Sequence, residues 1–571
     1  MEKHRAQFKL GLLMIVFMIT SCITPVAAPT GDMSVPEFSQ DIPDSENNLE
    51  ATLTSGFAYD ATTLDPARAH PQNKMASMVF KAVYQTLFTH PSGFSGEVVP
   101  WLAEEFTLSD DQKNIMIRLR QDAVFTDGAS VIAEDVVFSI KRLQNINGSP
   151  AHLAQTIQEI VDTDDYNLVI DLTQPDPAIF AKLASGAFSI LNKDEVEAHG
   201  GSAEEKDTAE DWLNANSAGS GPYILDKWQK ESEVSLSRNP NYKELPELEV
   251  EKERAEQVII RYIPNSTTQL EALQAGEIDI ALNLMPTQRD AIRGISDIMF
   301  QEDFSGELLY LYVRQDSENS ESLLNAPRFH AAIRHALNYK EIQEIIDGST
   351  ELPASFIPKG FFGALEEESS DRYNPERAKE LLNEIGAENL HNNTFTLGYR
   401  SSMVGIDVDS LVSQIQTDLS MDGEGLNIEL TPNNDEADIF LYRTGPAYMN
   451  SIDYLKLPKD IDWENRPDDL IQQAEQASDP EELENLLADV QNRFIDDFTG
   501  SRYAILAQPG FTSAARAGIT GFNLNPQGVV YIRRISSKGR WCALCVQICN
   551  SSCNSTTCKS CNGWTGCGVP C

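Results

Sequence analysis

The sequence predicts a mixed α/β chain folded into more than one lobe, and three observations lead there. The chain has 571 residues, 41% hydrophobic and 23% charged, which suits a soluble protein of two to four domains with large cores. Strand and helix signals alternate along the body. Val258–Tyr262 reads as a buried strand, Gln269–Gln274 as a helix, and Ala275–Ile280 as the start of the next strand, the helix–Gly–strand logic of an α/β lobe. Cysteine is absent between positions 23 and 541, so hydrophobic burial, not disulfides, must hold the body together.

The net charge is −43, from 44 Lys+Arg against 87 Asp+Glu. Nucleic-acid binding needs a cationic footprint and is excluded as a function class; a solvated acidic surface explains the excess. At the N-terminus, Lys3, His4, Arg5 and Lys9 precede the short apolar run Leu10–Ile19. This is the pattern of a signal peptide, too short for a comfortable membrane span. The run ends in Ile19-Thr20-Ser21-Cys22. Small residues before a cysteine resemble the bacterial lipobox, which implies cleavage before Cys22, lipid attachment to its sulfur and an anchor on a membrane surface. Ile23 to about Glu50 is rich in Pro, Ser, Thr and acidic residues and reads as a flexible tether.

The body then follows in order. Leu53–Tyr59 is an apolar strand leading into the turn Thr63-Leu64-Asp65-Pro66-Ala67. Apolar residues at helical spacing (Met75, Met78, Val79, Ala82, Val83) predict a core-packed helix. Ile115–Arg120 alternates as a strand, Asp127-Gly128 marks a turn, and Ala133–Leu143 is an amphipathic helix with Glu134 and Asp135 at its start, where they cap. Leu168–Leu172 is a strand. Gly219–Leu225 and Val234–Tyr242 form a hairpin, with Gly219 and Gly221 read as supplying unusual backbone angles. Leu308–Val313 is a strand and Arg328–Tyr339 a helix. Asn374 can cap a helix that has Pro375 at its first position and Gly386 at its end. Phe395–Tyr399, Ile428–Thr431 and Ala437–Tyr442 are strands, Glu481–Phe498 is a polar amphipathic helix, and Tyr503–Ala507 is a segment returning towards the first lobe.

Several of these stretches carry specific wording: S-G-P-Y-x-L at 220–225, R-N-P-x-Y at 238–242, L-D-P at 64–66, Y-Q-T-L at 84–87, F-x-D-G at 125–128, A-E-D-V-x-F-S-x-x-R-L at 133–143 and A-L-Q-A-G-E-I-D at 272–279. The chain resembles, over about 50–535, the bacterial extracellular solute-binding proteins of family 5, the peptide- and nickel-type receptors of ABC importers. That resemblance implies a two-lobed periplasmic-binding-protein type II fold with an extra small domain. Lobe I would take 50–90, 210–307 and 505–535, the small α+β domain 91–209, and lobe II 308–504. Residues 1–21 would be the signal peptide, 22–49 the lipid-anchored tether and 536–571 a Cys-rich tail.

No H-E-x-x-H, G-x-S-x-G or G-x-x-x-x-G-K is present, and His330 and His335, five apart, are poorly placed as a metal pair. No enzyme activity, cofactor or metal is expected. The resemblance implies binding in a cleft that closes over a small-molecule or peptide ligand, followed by docking on a membrane permease driven by an ATPase. An alternative is a signalling or chaperone-like binding protein on the same fold without transport. The oligopeptide branch carries R-x-G-W-x-x-D, whose Asp pairs with the ligand's amino group. Here Arg443 and Gly445 match, but Pro446 holds the Trp position and Met449 the Asp position; Tyr448 or Asp453 are the candidate substitutes. Leu64, Asp65 and Tyr84 complete the expected ligand-binding set, Cys22 being the lipidation site. An opine, a sugar or a chelated metal remain ligand alternatives to a peptide.

The tail lies outside the family pattern. No acidic residue follows Asp497, and Cys542, Cys545, Cys549, Cys553, Cys558, Cys561, Cys567 and Cys571 crowd its last thirty residues. An even count in an exported chain suggests up to four disulfides. The two C-x2-C pairs, at Cys542/Cys545 and Cys558/Cys561, also fit a zinc-ribbon spacing, and a modified-peptide core or a frame error are further readings.

Overall fold

The computed structural model describes residues 52–535, apart from short segments at 92–96, 205, 244, 246–254, 296, 316–321, 347–349, 367–371, 387–392, 460–465 and 497–500. The leader, Cys22, the tether and the Cys-rich tail lie outside the described residues. Two large sheets carry the body. The first has seven strands in the order Ile298–Asp303, Phe511–Arg516, Ile280–Ala281, Thr52–Phe57, Gln257–Tyr262, Glu233–Arg238 and Tyr223–Gln229. Thr52–Phe57 pairs in parallel with Gln257–Tyr262 and with Ile280–Ala281; the remaining pairs are antiparallel. The second has five strands in the order Asn427–Pro432, Thr394–Tyr399, Ile439–Thr444, Leu308–Val313 and Tyr503–Ala507. A four-stranded antiparallel sheet (Ala103–Leu108, Asn114–Leu119, Asn167–Leu172, Ile157–Asp164) packs against the helix Ala133–Ile146.

Local sequence explains most of these elements. Asn374 accepts a hydrogen bond from the Arg377 N–H, Pro375 opens the helix Pro375–Ile385, and Gly386 ends it at φ 110°. The helix Ser266–Ala275 stops at Gly276, φ 76°, where the left-handed conformation suits glycine. Asp135 caps as expected: its carboxylate accepts from the Ile132 and Lys193 N–H groups, both at 3.0 Å. Burial nonetheless raises its pKa to about 6. His330 and His335 each face a backbone carbonyl, of Leu324 and Arg372.

Two expectations change. Gly219 and Gly221 are not among the positive-φ residues; they are needed for close approach. A Cβ on Gly219 would lie 2.1 Å from the Val83 carbonyl oxygen, and one on Gly221 2.5 Å from the Val83 carbonyl carbon. The hairpin therefore lies against the end of the helix Lys74–Val83, where the Gly221 N–H also bonds the Val83 carbonyl. The strand Tyr503–Ala507 does not return to the first sheet. It pairs antiparallel with Leu308–Val313 at the edge of the second, so a lobe boundary at 505 cuts through a strand. Its side chains are buried throughout, which hides on which sheet they pack.

The chain crosses between the two large sheets at 304–307 and again at 508–510. The crossings are tied together: the Gln508 amide donates to the Ser305 carbonyl at 2.6 Å, and the Ser305 hydroxyl bonds the Pro509 carbonyl. Among the described residues no helix is long and apolar enough to cross a membrane.

Candidate functional site

Side chains from three distant segments converge where the crossings meet the helix Lys74–Val83. Asn73 caps that helix through the Ala76 N–H at 2.9 Å. The residue next to it, Lys74, reaches Glu307 at 2.6 Å and the Tyr59 hydroxyl at 3.2 Å, and it sits over the Tyr59 and Phe511 rings. Glu307, in the first crossing, also accepts from Arg443 Nε at 2.7 Å. Arg443 is the penultimate residue of the strand Ile439–Thr444 and donates as well to the Val404 carbonyl. Burial alone would raise the Glu307 pKa, but the charges of Arg443 and Lys74 overcome it and hold the carboxyl below its usual range. Beside this cluster the Gln72 amide bonds the Gly445 carbonyl and lies 3.3 Å from the Thr444 hydroxyl. The first sheet's helix and the end of a second-sheet strand are thereby clasped together.

A small cavity of about 10 Å³, on the scale of one water molecule, lies along the same helix. His70, Ser77, Lys81, Ser185, Ala447 and Gln527 are among its lining residues. The Gln527 amide donates to the Ala447 carbonyl at 3.1 Å, another tie between the two sides. The short turn Gly186–Phe188 sits so close to the helix that a Cβ on Gly186 would come 3.0 Å from Phe80.

The expected site residues divide into two groups. Arg443, Gly445, Tyr448 and Asp453 gather at or near the clasp. Tyr448 is buried under Lys182, whose ammonium lies 5.7 Å from the ring. Asp453 is buried and turned inward: it accepts from the Ala447 N–H at 2.6 Å and lies 3.4 Å from Lys456. Burial raises its pKa, against the pull of Lys456. Leu64, Asp65 and Tyr84 lie in the interior of the first sheet's side. Both Asp65 oxygens are held by Arg142, at 2.6 and 2.7 Å, and Arg142 also grips Asp207 at 2.8 Å; all three side chains are fully buried. The Leu64 N–H donates to Asn214 at 2.6 Å. The Tyr84 hydroxyl has its pKa raised by burial and by the Asp65 charge. The L-D-P turn and the R-L end of the amphipathic helix are thus two halves of one ion-paired joint. Sequence reasoning missed Lys74, Lys81 and Glu307. The available signal was two lysines on a largely apolar helix, and an acid between a Ser-Gly pair and the apolar strand Leu308–Val313. Among the described residues no group of three His, Cys, Asp or Glu side chains is placed to hold a metal.

Known proteins resemble this chain in sequence and in fold. A model of "Bacterial extracellular solute-binding proteins, family 5 Middle" matches residues 97–458. A probable D,D-dipeptide-binding periplasmic protein of Escherichia coli (strain K12) is 31% identical over 315 residues, which cover 54% of this chain and 58% of that protein. The match thus spans little more than half of that relative's length. A periplasmic binding protein of Helicobacter pylori, solved with the peptide STSA, superposes with a TM-score of 0.70 at 20% identity, covering 86% of this chain and 98% of that one. NikZ from Campylobacter jejuni, solved with Ni(L-His), gives 0.69 at 19% identity over 85% and 99%. Both solved neighbours share the two-lobed fold.

Proposed function

The chain belongs to the bacterial extracellular solute-binding proteins, family 5, and from that premise we propose that it is the substrate-binding component of an ABC importer. It captures an oligopeptide or a similar small solute between its lobes and delivers it to a membrane permease coupled to an ATPase. The observation that carries this is the clasp: Gln72 and Lys74 on one side meet Thr444, Gly445 and the Glu307–Arg443 pair on the other, beside a lined cavity. Binding between lobes joined by two crossings is the usual logic of hinged closure. Export fits the leader-like N-terminus, and Cys22 is the proposed lipid attachment point. Lobe I and the small domain are joined through Asp65, Arg142 and Asp207; lobe II moves against them. The activity is capture and release, with no bond made or broken.

Calorimetric titration of the purified chain with a panel of dipeptides, tripeptides and small carboxylates tests this. Saturable one-to-one binding of some members, without turnover, is expected. Chemical conversion of a bound solute, or no binding across the panel by a folded protein, would contradict it.

A further inference from the structure

The four-stranded sheet of the small domain has an open edge. Its order begins with Ala103–Leu108, which pairs within that sheet only with Asn114–Leu119. Four consecutive residues of this strand, Glu104 to Thr107, are exposed. An edge strand offers main-chain N–H and C=O groups to any further strand, and proteins seldom leave one bare. The chemistry on either side of this edge differs. Glu105 stands opposite Arg118 in register, and both Glu104 and Glu105 pair with that single guanidinium, which leaves an excess of negative charge. Phe106, the next residue, points the other way. It stands opposite the buried Ile117 and forms a trio with Phe88 and Phe180, at ring-centroid distances of 5.2 and 5.1 Å. Phe88 is buried, yet Phe106 is 43% exposed.

The chain leaves the described body beside this edge. Arg533 lies over the Trp101 ring at 4.4 Å and reaches the Thr89 hydroxyl at 3.3 Å, and Arg534 lies 3.4 Å from the His90 carbonyl. Trp101 stands two residues before the edge strand, and Thr89 directly follows Phe88 of the trio. Ile535 is the last described residue. Residues 536–571 carry Lys538, Arg540 and Lys559 and no acid. Fully extended, the chain from Ile535 to Arg540 reaches about 18 Å at most. From there it reads Trp541-Cys542-Ala543-Leu544-Cys545-Val546-Gln547-Ile548, a run with Trp, Val and Ile and without Pro or Gly, which suits a strand. Arg540 and Trp541 are neighbours, so in a strand they face opposite ways.

We propose that the C-terminal segment 540–548 docks on the open edge of the small domain as an added strand, with Arg540 towards Glu104 and Glu105 and Trp541 towards the Phe106 ring. The place of exit, the sign of the charge and the alternation of the two side chains all match. Main-chain hydrogen bonds to the edge supply the attachment. Arg540 brings a second cation to two carboxylates that share one, and Trp541 covers the exposed aromatic ring. The Cys-rich tail, which lies outside the family pattern, is in this way held to the receptor's own sheet, far along the chain from the inter-lobe clasp, and it shields an edge that would otherwise be open to other chains.

The test is photo-crosslinking of the full chain with benzoylphenylalanine in place of Phe106, followed by peptide mapping. The expected product joins position 106 to residues 540–548 of the same chain. Arg540→Glu and Trp541→Ser should each lower its yield about tenfold, as loss of a charge-assisted or aromatic contact implies, and Arg540→Glu combined with Glu105→Arg should recover part of it. In the chain that keeps Phe106, the edge-facing amides of Ala103–Leu108 should exchange hydrogen about tenfold more slowly than in Trp541→Ser. Circular dichroism checks that each variant is folded. Crosslinks that avoid the tail, a yield untouched by both tail substitutions, or edge amides that exchange equally fast with and without Trp541 would overturn the proposal. Crosslinks between two chains that grow with protein concentration would overturn it too and assign the edge to a second copy.

Discussion

Two buried ionic clusters divide the labour of this molecule. In one, a single guanidinium, Arg142, is gripped by two carboxylates, Asp65 and Asp207, with Arg68 adding a 3.2 Å contact to Asp65 from the rim. In the other, a single carboxylate, Glu307, is gripped by two cations, Lys74 and Arg443. The first joins the L-D-P turn to the helix of the small domain, and every atom of its three core side chains is shut from solvent. The second bridges segments from either side of the crossings, so opening the lobes would separate them and let water hydrate each charge. Under the proposed hinged closure, similar chemistry serves as a permanent joint in one place and as a reversible latch in the other. What differs is whether the partners belong to parts that move apart.

Arg142→Met should break the joint most severely. It strands two buried carboxylates, a loss of about 3–5 kcal/mol that a urea midpoint will read; a shift no larger than that of a surface substitution would remove the joint from the account. Gly219→Ala forces a methyl against the Val83 carbonyl and should cost about 1–3 kcal/mol of folding stability on the fixed side, with solute affinity nearly unchanged in titration. Glu307→Gln should act in the opposite sense. Its urea midpoint should move less than that of Arg142→Met, while solute affinity falls about tenfold, because the closed state loses its shared counter-ion.

The smallest effects are those of pH. Glu307 has a folded pKa below its ordinary value, so its contribution is complete above the ordinary carboxyl range and is lost as pH falls through the lowered value. Acid should therefore open the wild-type latch and leave Glu307→Gln unaffected, as small-angle scattering can follow. His90 works alongside it: burial pushes its pKa down to about 3. The unfolded chain takes up that proton below about 6.5, so stability drains away as pH falls from there towards 3. His90→Asn should flatten that slope in acid-unfolding curves.

Much of the fold was legible because its signals are local. Asn374, Pro375 and Gly386 bound a helix from within thirteen residues of sequence, and the hairpin between Gly219 and Tyr242 needs only its own turns. The hairpin's glycines were found for the wrong reason, since the constraint is another segment's backbone pressing on them and not their own torsions. The edge strand Tyr503–Ala507 is apolar on both faces and would suit either sheet; its partner is set by a crossing that no local pattern marks. The candidate site was half legible. Arg443 and Gly445 stand in a recognisable string, but Lys74, Lys81 and Glu307 matter through what they meet hundreds of positions away. Asp65 and Arg142 each stood out in a motif, and only their contact shows that they answer one another.

Native mass spectrometry of the gently purified full chain tests the central claim most directly. The account predicts one small solute bound per chain, released on collisional activation and markedly depleted in Glu307→Gln. A folded chain that carries no solute from the cell, and takes up none when small acids and peptides are added, would contradict it.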